Sequence, residues 1–206
     1  MNLETPKYRE LIAGYVLGKI INAGYQKIIL DEITADLAIS KKTIYKEFST
    51  KEELLNFVFI SELTKAYQKL VMLVQEKSPM FDKVEKLADL AASYIILFNE
   101  ESLQKLKKEF PDIWKKIASF RMSKILPLIN RIINHSKKHK IINNISNELI
   151  IKLFNNSLTT ATDKSFLIHN NLTQESVFKT IFNILLNGML TRKGKKLLTI
   201  NQRIKK

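Results

Sequence analysis

The chain predicts an all-α protein. Apolar residues recur at three- and four-residue intervals along most of its 206 residues, and only 5 Gly and 4 Pro interrupt them, mostly at the ends of periodic segments. No β-hairpin signal separates these segments. With 45% hydrophobic residues, the chain has enough apolar side chains for a small domain of about 50 residues and a larger helical one with its own core.

Taken in order, the pattern places a first helix over Pro6 to Ala23, with Ile12, Val16, Leu17 and Ile20 inward. In the stretch that follows, GYQKIILDEITADLAISKKTIYKEFSTKEEL over residues 24–54, Ile33 and Leu37 share one face of a short helix, and Ile44 and Phe48 repeat that spacing on the next. Ala38-Ile39-Ser40 between them is long enough only for a turn. Ser40 is placed to cap the second short helix, and Thr50-Lys51-Glu52-Glu53 has the layout of a capping box, its Glu53 carboxylate expected on the Thr50 amide. From Lys51 the apolar pattern continues to about Lys77, so one helix is expected to leave the first domain and enter the second. Helices follow at about Phe81 to Asn99, Leu103 to Phe110 and Pro111 to Lys140, the last with a kink at Pro127. Two more, near Ser146 to Leu167 and Thr173 to Met189, are strongly apolar on one side. The expectation is about nine helices: a three-helix unit over residues 1–50, a larger helical domain over 51–190, and a basic tail over 191–206.

With Ile44 and Phe48 turned inward, the second short helix shows Lys41, Lys42, Thr43, Tyr45 and Lys46 to the outside, with Ser40 and Lys51 beside them. Lysine ammonium groups neutralise phosphates, hydroxyls donate to phosphate oxygens, and a helix of this width enters the major groove, where base edges are read. That is the layout of a helix-turn-helix DNA reader.

The same segment resembles the DNA-binding domain of the TetR family of transcription repressors. The match runs without a gap from Gly24-Tyr25 through Ile33, Ala35 to Leu37 and Ile39-Ser40-Lys41, to Thr43-Ile44-Tyr45, Phe48, Lys51-Glu52 and Leu54. It departs at Ile29, where the family often caps with a hydroxyl, at Ala38, which replaces the usual turn glycine, and at Lys42, where glycine is common. The resemblance implies a homodimeric repressor on a pseudo-palindromic operator in double-stranded DNA. It also implies a second domain that binds a small molecule and pairs the subunits. Ile150, Phe154 and Leu158 on one late helix, with Phe178, Ile181, Phe182 and Leu185 on the other, are the expected dimer stripes. Tyr67, Tyr94, Phe98, Phe110, Trp114 and Phe120 lie in the region where the family holds its ligand; aromatics at helical spacing are also ordinary core.

The formal net charge of +14 lies away from the reader. Residues 1–60 hold eight basic and eight acidic side chains, residues 102–140 eleven and two, and residues 191–206 seven and none. Affinity must then come from a few placed lysines, while the remote surplus raises the long-range potential. The surplus at 102–140 also points to an anionic amphiphile as a ligand, beside a purely apolar one.

Several functions are excluded or disfavoured. The absence of Cys removes disulfides, thiolate metal sites and cysteine nucleophiles, and fits a reducing cytoplasm. The N-terminus lacks the layout of a signal peptide, and no apolar run approaches the roughly 18 residues of a membrane span. The expected protein is cytoplasmic, without cofactor, metal or catalytic residues. His135 and His139 share a helix face, but Lys137, Lys138 and Lys140 surround them, which suits a solvated pair better than a metal site. An all-α enzyme, or a scaffold without operator or effector, is the alternative.

Overall fold

A computed structural model describes residues 6–78, 80–94, 97 and 100–204. Among them the chain is helical, with one isolated antiparallel bridge between Ile142 and Leu190. It divides into two compact units, Met1–Lys65 with Ser102–Ser119, and Ala66–Glu101 with Phe120–Lys206.

In the first unit, α1 (Pro6–Ala23), α2 (Leu30–Leu37) and α3 (Lys41–Glu47) surround a core of Ile12, Val16, Tyr25, Ile33, Ile44 and Phe48, and the opening turns of α4 (Lys51–Gln75) add Leu54, Leu55, Val58 and Phe59. α1 ends at Gly24, whose φ of 85° suits a residue without a Cβ. The turn that follows buries Tyr25 edge-on to Phe59 and Phe110, with centroids 6.4 and 6.1 Å away. Phe110 comes from the far segment of the unit, where α6 (Glu100–Glu109) and α7 (Pro111–Phe120) bury Leu103, Leu106, Ile113 and Ile117.

In the second unit, α5 (Met80–Tyr94), α9 (Asn147–Thr162) and α11 (Gln174–Met189) share a core of Ala88, Ala161, Val177 and Phe178. α10 (Lys164–His169) is a short helix started by Asp163, whose carboxylate accepts the Phe166 N–H at 3.0 Å. The long helix expected from Pro111 to Lys140 is continuous but changes pitch. A π turn over Arg121–Ile125, closed by the Leu126 N–H on the Arg121 carbonyl, joins α7 to α8 (Leu126–Lys138). Pro127 offers no N–H to the carbonyl four residues back, and the widened turn immediately before it takes up the mismatch.

The expected polar tail is corrected outright: residues Arg192–Ile204 form α12. It is anchored where Thr191 donates through its backbone to the Ile141 carbonyl at 3.0 Å and through its hydroxyl to the Lys140 carbonyl at 2.7 Å. At Gly194 any Cβ would lie 2.2 Å from the Ile141 carbonyl oxygen, so glycine is required for this approach.

Candidate functional site

The candidate recognition surface is built from its turn outward. α2 closes on Ala38 in the left-handed conformation, φ 51° and ψ 41°, which a Cβ disfavours by roughly 1 kcal/mol or more. Ser40 then caps α3, its hydroxyl accepting the Thr43 N–H at 3.0 Å and lying 2.9 Å from the Thr43 hydroxyl. Ile44 and Phe48 are buried, which turns Lys42, Tyr45 and Lys46 to solvent; Tyr45 is 51% exposed. The sequence-predicted face therefore exists, and its members are not equivalent. Lys41 is paired with Asp31 of α2 at 2.5 Å, which raises its pKa through the hydrogen bond and then the charge of that carboxylate. Lys51 donates to the Ile28 carbonyl at 3.0 Å and ties the loop before α2 to the start of α4. Lys42 and Lys46 have no ion pair among the described residues.

The acidic residues of α2 are neutralised in place. Lys19 of α1 lies 3.0 Å from Glu32 and 3.7 Å from Asp36, and the Tyr15 hydroxyl donates to Asp36. Lys19 is held well above its ordinary 10.5, first by its hydrogen bond with Tyr15 and then by Glu32. This pairing locks α1 to α2 and offsets the negative charge of the α2 carboxylates beside α3.

Sequence reasoning missed the side chain that fixes α3 against α4. Arg9 of α1 stacks over Phe48 and Phe57, 4.3 and 4.7 Å from their centroids, donates to the Glu47 carbonyl and pairs with Glu53 at 3.2 Å. The capping box is accordingly shifted by one residue. Thr50 accepts the Glu53 N–H at 3.0 Å as expected, but the Glu53 carboxylate accepts from the Ser49 amide at 2.8 Å while Arg9 holds its other oxygen. A lone arginine in a first helix carries no sequence signal for this role.

The second unit holds an apolar cavity of about 230 Å³ between α5, α8, α9 and α11. Ile150, Phe154, Phe178 and Phe182, predicted for the dimer face, line it; Arg121, Ser136 and Asn155 are its polar members. Ile150 and Phe178 are buried within the single chain, Ile181 and Leu185 are half-buried, and the Leu158 side chain lies outside the described residues. Among the described residues, the large apolar side chains that α9 and α11 leave exposed are Leu149, Leu153 and Ile184, the last 66% exposed.

Of the described aromatics predicted for a ligand, Phe110 and Trp114 belong to the first unit and Tyr67, Tyr94 and Phe120 to the second. Phe110 packs on Tyr25 in the first unit, where Trp114 carries Lys107 over its ring at 4.8 Å. In the second unit Tyr67 meets Phe120 edge-on at 6.0 Å, and Tyr94 lies under Lys69 at 5.8 Å. Phe98 is outside the described residues. His135 and His139 stack with centroids 4.3 Å apart, and no group of three or more potential metal-ligating side chains occurs among the described residues. No described helix is long and apolar enough to cross a membrane.

No protein-family model matches the chain. Among curated proteins it is similar to YvaF of Bacillus subtilis, an uncharacterised HTH-type transcriptional regulator: 24% identity over 163 residues, covering 78% of this chain and 84% of that protein. Among solved structures, a TetR-family transcriptional regulator of Marinobacter aquaeolei VT8 superposes with a TM-score of 0.69 at 20% identity, over 98% of both chains. A protein of Saccharomonospora viridis solved in complex with choline gives 0.75 at 11% identity, over 90% of this chain and 99% of that one. The transcriptional regulator FadR of Bacillus subtilis, solved with stearoyl-CoA, gives 0.63 at 16% identity, over 87% and 98%.

Proposed function

We propose that this chain, which shares the fold of the TetR-family transcriptional regulators, is a sequence-specific DNA-binding repressor that works as a homodimer in the cytoplasm and leaves its operator when a small molecule binds. The observation that carries the reading is the outward face of α3. Two free lysines and a half-exposed tyrosine stand on a capped helix, beside an α2 whose carboxylates are already paired. In the complex α3 enters the major groove, and Lys42, Tyr45 and Lys46 meet phosphates and base edges there. Ser40 and Thr43 hold the helix start, Lys51 fixes the loop behind it, and Lys41 reaches phosphate only by leaving Asp31.

A second copy seats best on Leu149, Leu153 and Ile184, one position round each helix from the stripes that fill the cavity. A four-helix contact of this kind supplies the twofold axis that a pseudo-palindrome requires. Two readers on one operator are then spaced by about one helical turn of DNA or a little more, roughly 34 to 50 Å. The apolar cavity suits a hydrocarbon-rich ligand, and the stearoyl-CoA held by FadR supports that class over the choline of the other neighbour. A ligand acts here only through different affinities for the DNA-bound and released states. The path available to it is α4, a single helix that begins at Lys51 and belongs to the second unit from Ala66 on.

Selection of bound sequences from random duplex DNA tests the reading. A pseudo-palindrome is expected, and Tyr45→Ala should weaken binding to it by about five- to fifty-fold, the effect of one lost hydrogen bond with its packing. Absence of enrichment sinks the repressor assignment and favours the enzyme or scaffold alternative.

A further inference from the structure

Beside the apolar cavity lies a second pocket of different chemistry, about 350 Å³, entirely within the second unit. Its polar walls are Ser78, from the segment after α4, Lys83 of α5, and Arg131 and His135 of α8; no carboxylate lines it among the described residues. The Ser78 hydroxyl is shielded from solvent without a hydrogen-bond partner among the described residues, an arrangement that folded chains seldom leave uncompensated. His135 is held below its ordinary 6.5, by desolvation first and then by the positive charges of His139, Lys83 and Lys138. A buried, unsatisfied hydroxyl facing a field of cations is a site that an anion completes.

The two pockets share a wall. Ile132 lines both, Val84 faces the apolar one while Lys83 faces the polar one, and on α8 Ile133 and Ser136 line the first while Arg131 and His135 line the second. We propose that the polar pocket is the head-group site for an anionic amphiphile whose hydrocarbon tail fills the apolar cavity, the head being a carboxylate or a phosphate monoester held by Lys83, Arg131 and Ser78. The assignment rests on the ligand-responsive reading above and gives its ligand a class.

Head-group occupancy also has a route to the reader. Leu73 and Val74, in the last turn of α4, line the polar pocket, and the Lys83 ammonium donates to the Val74 carbonyl at 3.0 Å. Its two remaining N–H donors are available to the anion, so an occupant is tied through one lysine to the end of the helix that starts at the recognition unit.

Calorimetric titration of the full chain without DNA tests this, using decanoate, decyl phosphate and decan-1-ol. The two anions should bind at least about ten-fold more tightly than the alcohol, the gain expected from charge-assisted hydrogen bonds. The double variant Lys83→Gln, Arg131→Gln should lose that preference while its affinity for decan-1-ol stays within about two-fold, which also certifies its fold. The ranking of decanoate against decyl phosphate identifies the head. Equal binding of alcohol and anions, binding of none, or a preference that survives in the double variant and disappears with Arg121→Gln overturns the assignment. Because no DNA is present, these results are separate from failure to enrich an operator.

Discussion

Ala38 holds a strained turn that the sequence marks only as a departure from glycine. Its φ of 51° is left-handed, and the cost is relieved when the Cβ is removed. Ala38→Gly should raise the stability of the reader by about 0.5–1 kcal/mol, allowing for the greater freedom of glycine in the unfolded chain. Urea denaturation checks this, and a lower midpoint would show that the turn geometry is set otherwise. Glu53 makes a second prediction, about acid. The Ser49 N–H, then Arg9, hold its carboxyl below the ordinary 4.5. A carboxyl depressed in the folded state adds stability that is present above its unfolded pKa and is lost as pH falls through its folded one. Glu53→Gln should therefore be less stable than the parent at pH 7, and the gap should close below about pH 4.5. A gap that stays constant from pH 7 to 3 would mean that the carboxylate contributes nothing there.

At the scale of the element, α12 depends on one missing side chain. Gly194→Ala places a Cβ against the Ile141 carbonyl, where backbone rather than a flexible side chain must yield. The expected loss is about 1–3 kcal/mol, or several degrees in melting temperature. A melt indistinguishable from the parent's would mean α12 is not docked as described. Helices were readable from apolar spacing and turn residues: α1 over Pro6–Ala23, and α2 and α3 on either side of the turn at Ser40, the last started by the Ser40 cap, stand where the pattern put them. The cavity was not readable, because periodicity says which stripe is covered and not what covers it. Phe154 and Phe178 face inward whether a second copy or their own chain receives them. Nor does local pattern reveal that residues 102–119 join the first unit, since the contact between Tyr25 and Phe110 joins residues far apart in sequence. α12 was hidden by its lysines, which read as a solvated tail until Leu198 finds the core of Ile141, Leu186 and Leu190.

At the scale of the whole molecule, a large positive charge coexists with a recognition helix that has few free cations. Lys41 rests on Asp31 and Lys51 on a carbonyl, so under the proposed function Lys42 and Lys46 are the cations each reader offers to phosphates without breaking a contact of its own. Asp31→Asn releases Lys41. The salt dependence of DNA binding should then steepen by about 0.9 in log K per log salt for each reader, with tighter binding to random duplex DNA. Fluorescence anisotropy over a salt series measures it, and an unchanged slope would show that Lys41 reaches phosphate despite Asp31. That pairing has a consequence for search. Under the proposed function, Lys41 reaches phosphate only by giving up Asp31, an exposed pair worth about 1 kcal/mol or less, so random genomic DNA, in vast excess over a single operator, holds each reader modestly less well than a free lysine would allow. On that reading, a duplex that draws Lys41 off Asp31 holds the protein longer, and discrimination is shifted toward residence time and away from the strength of first attraction.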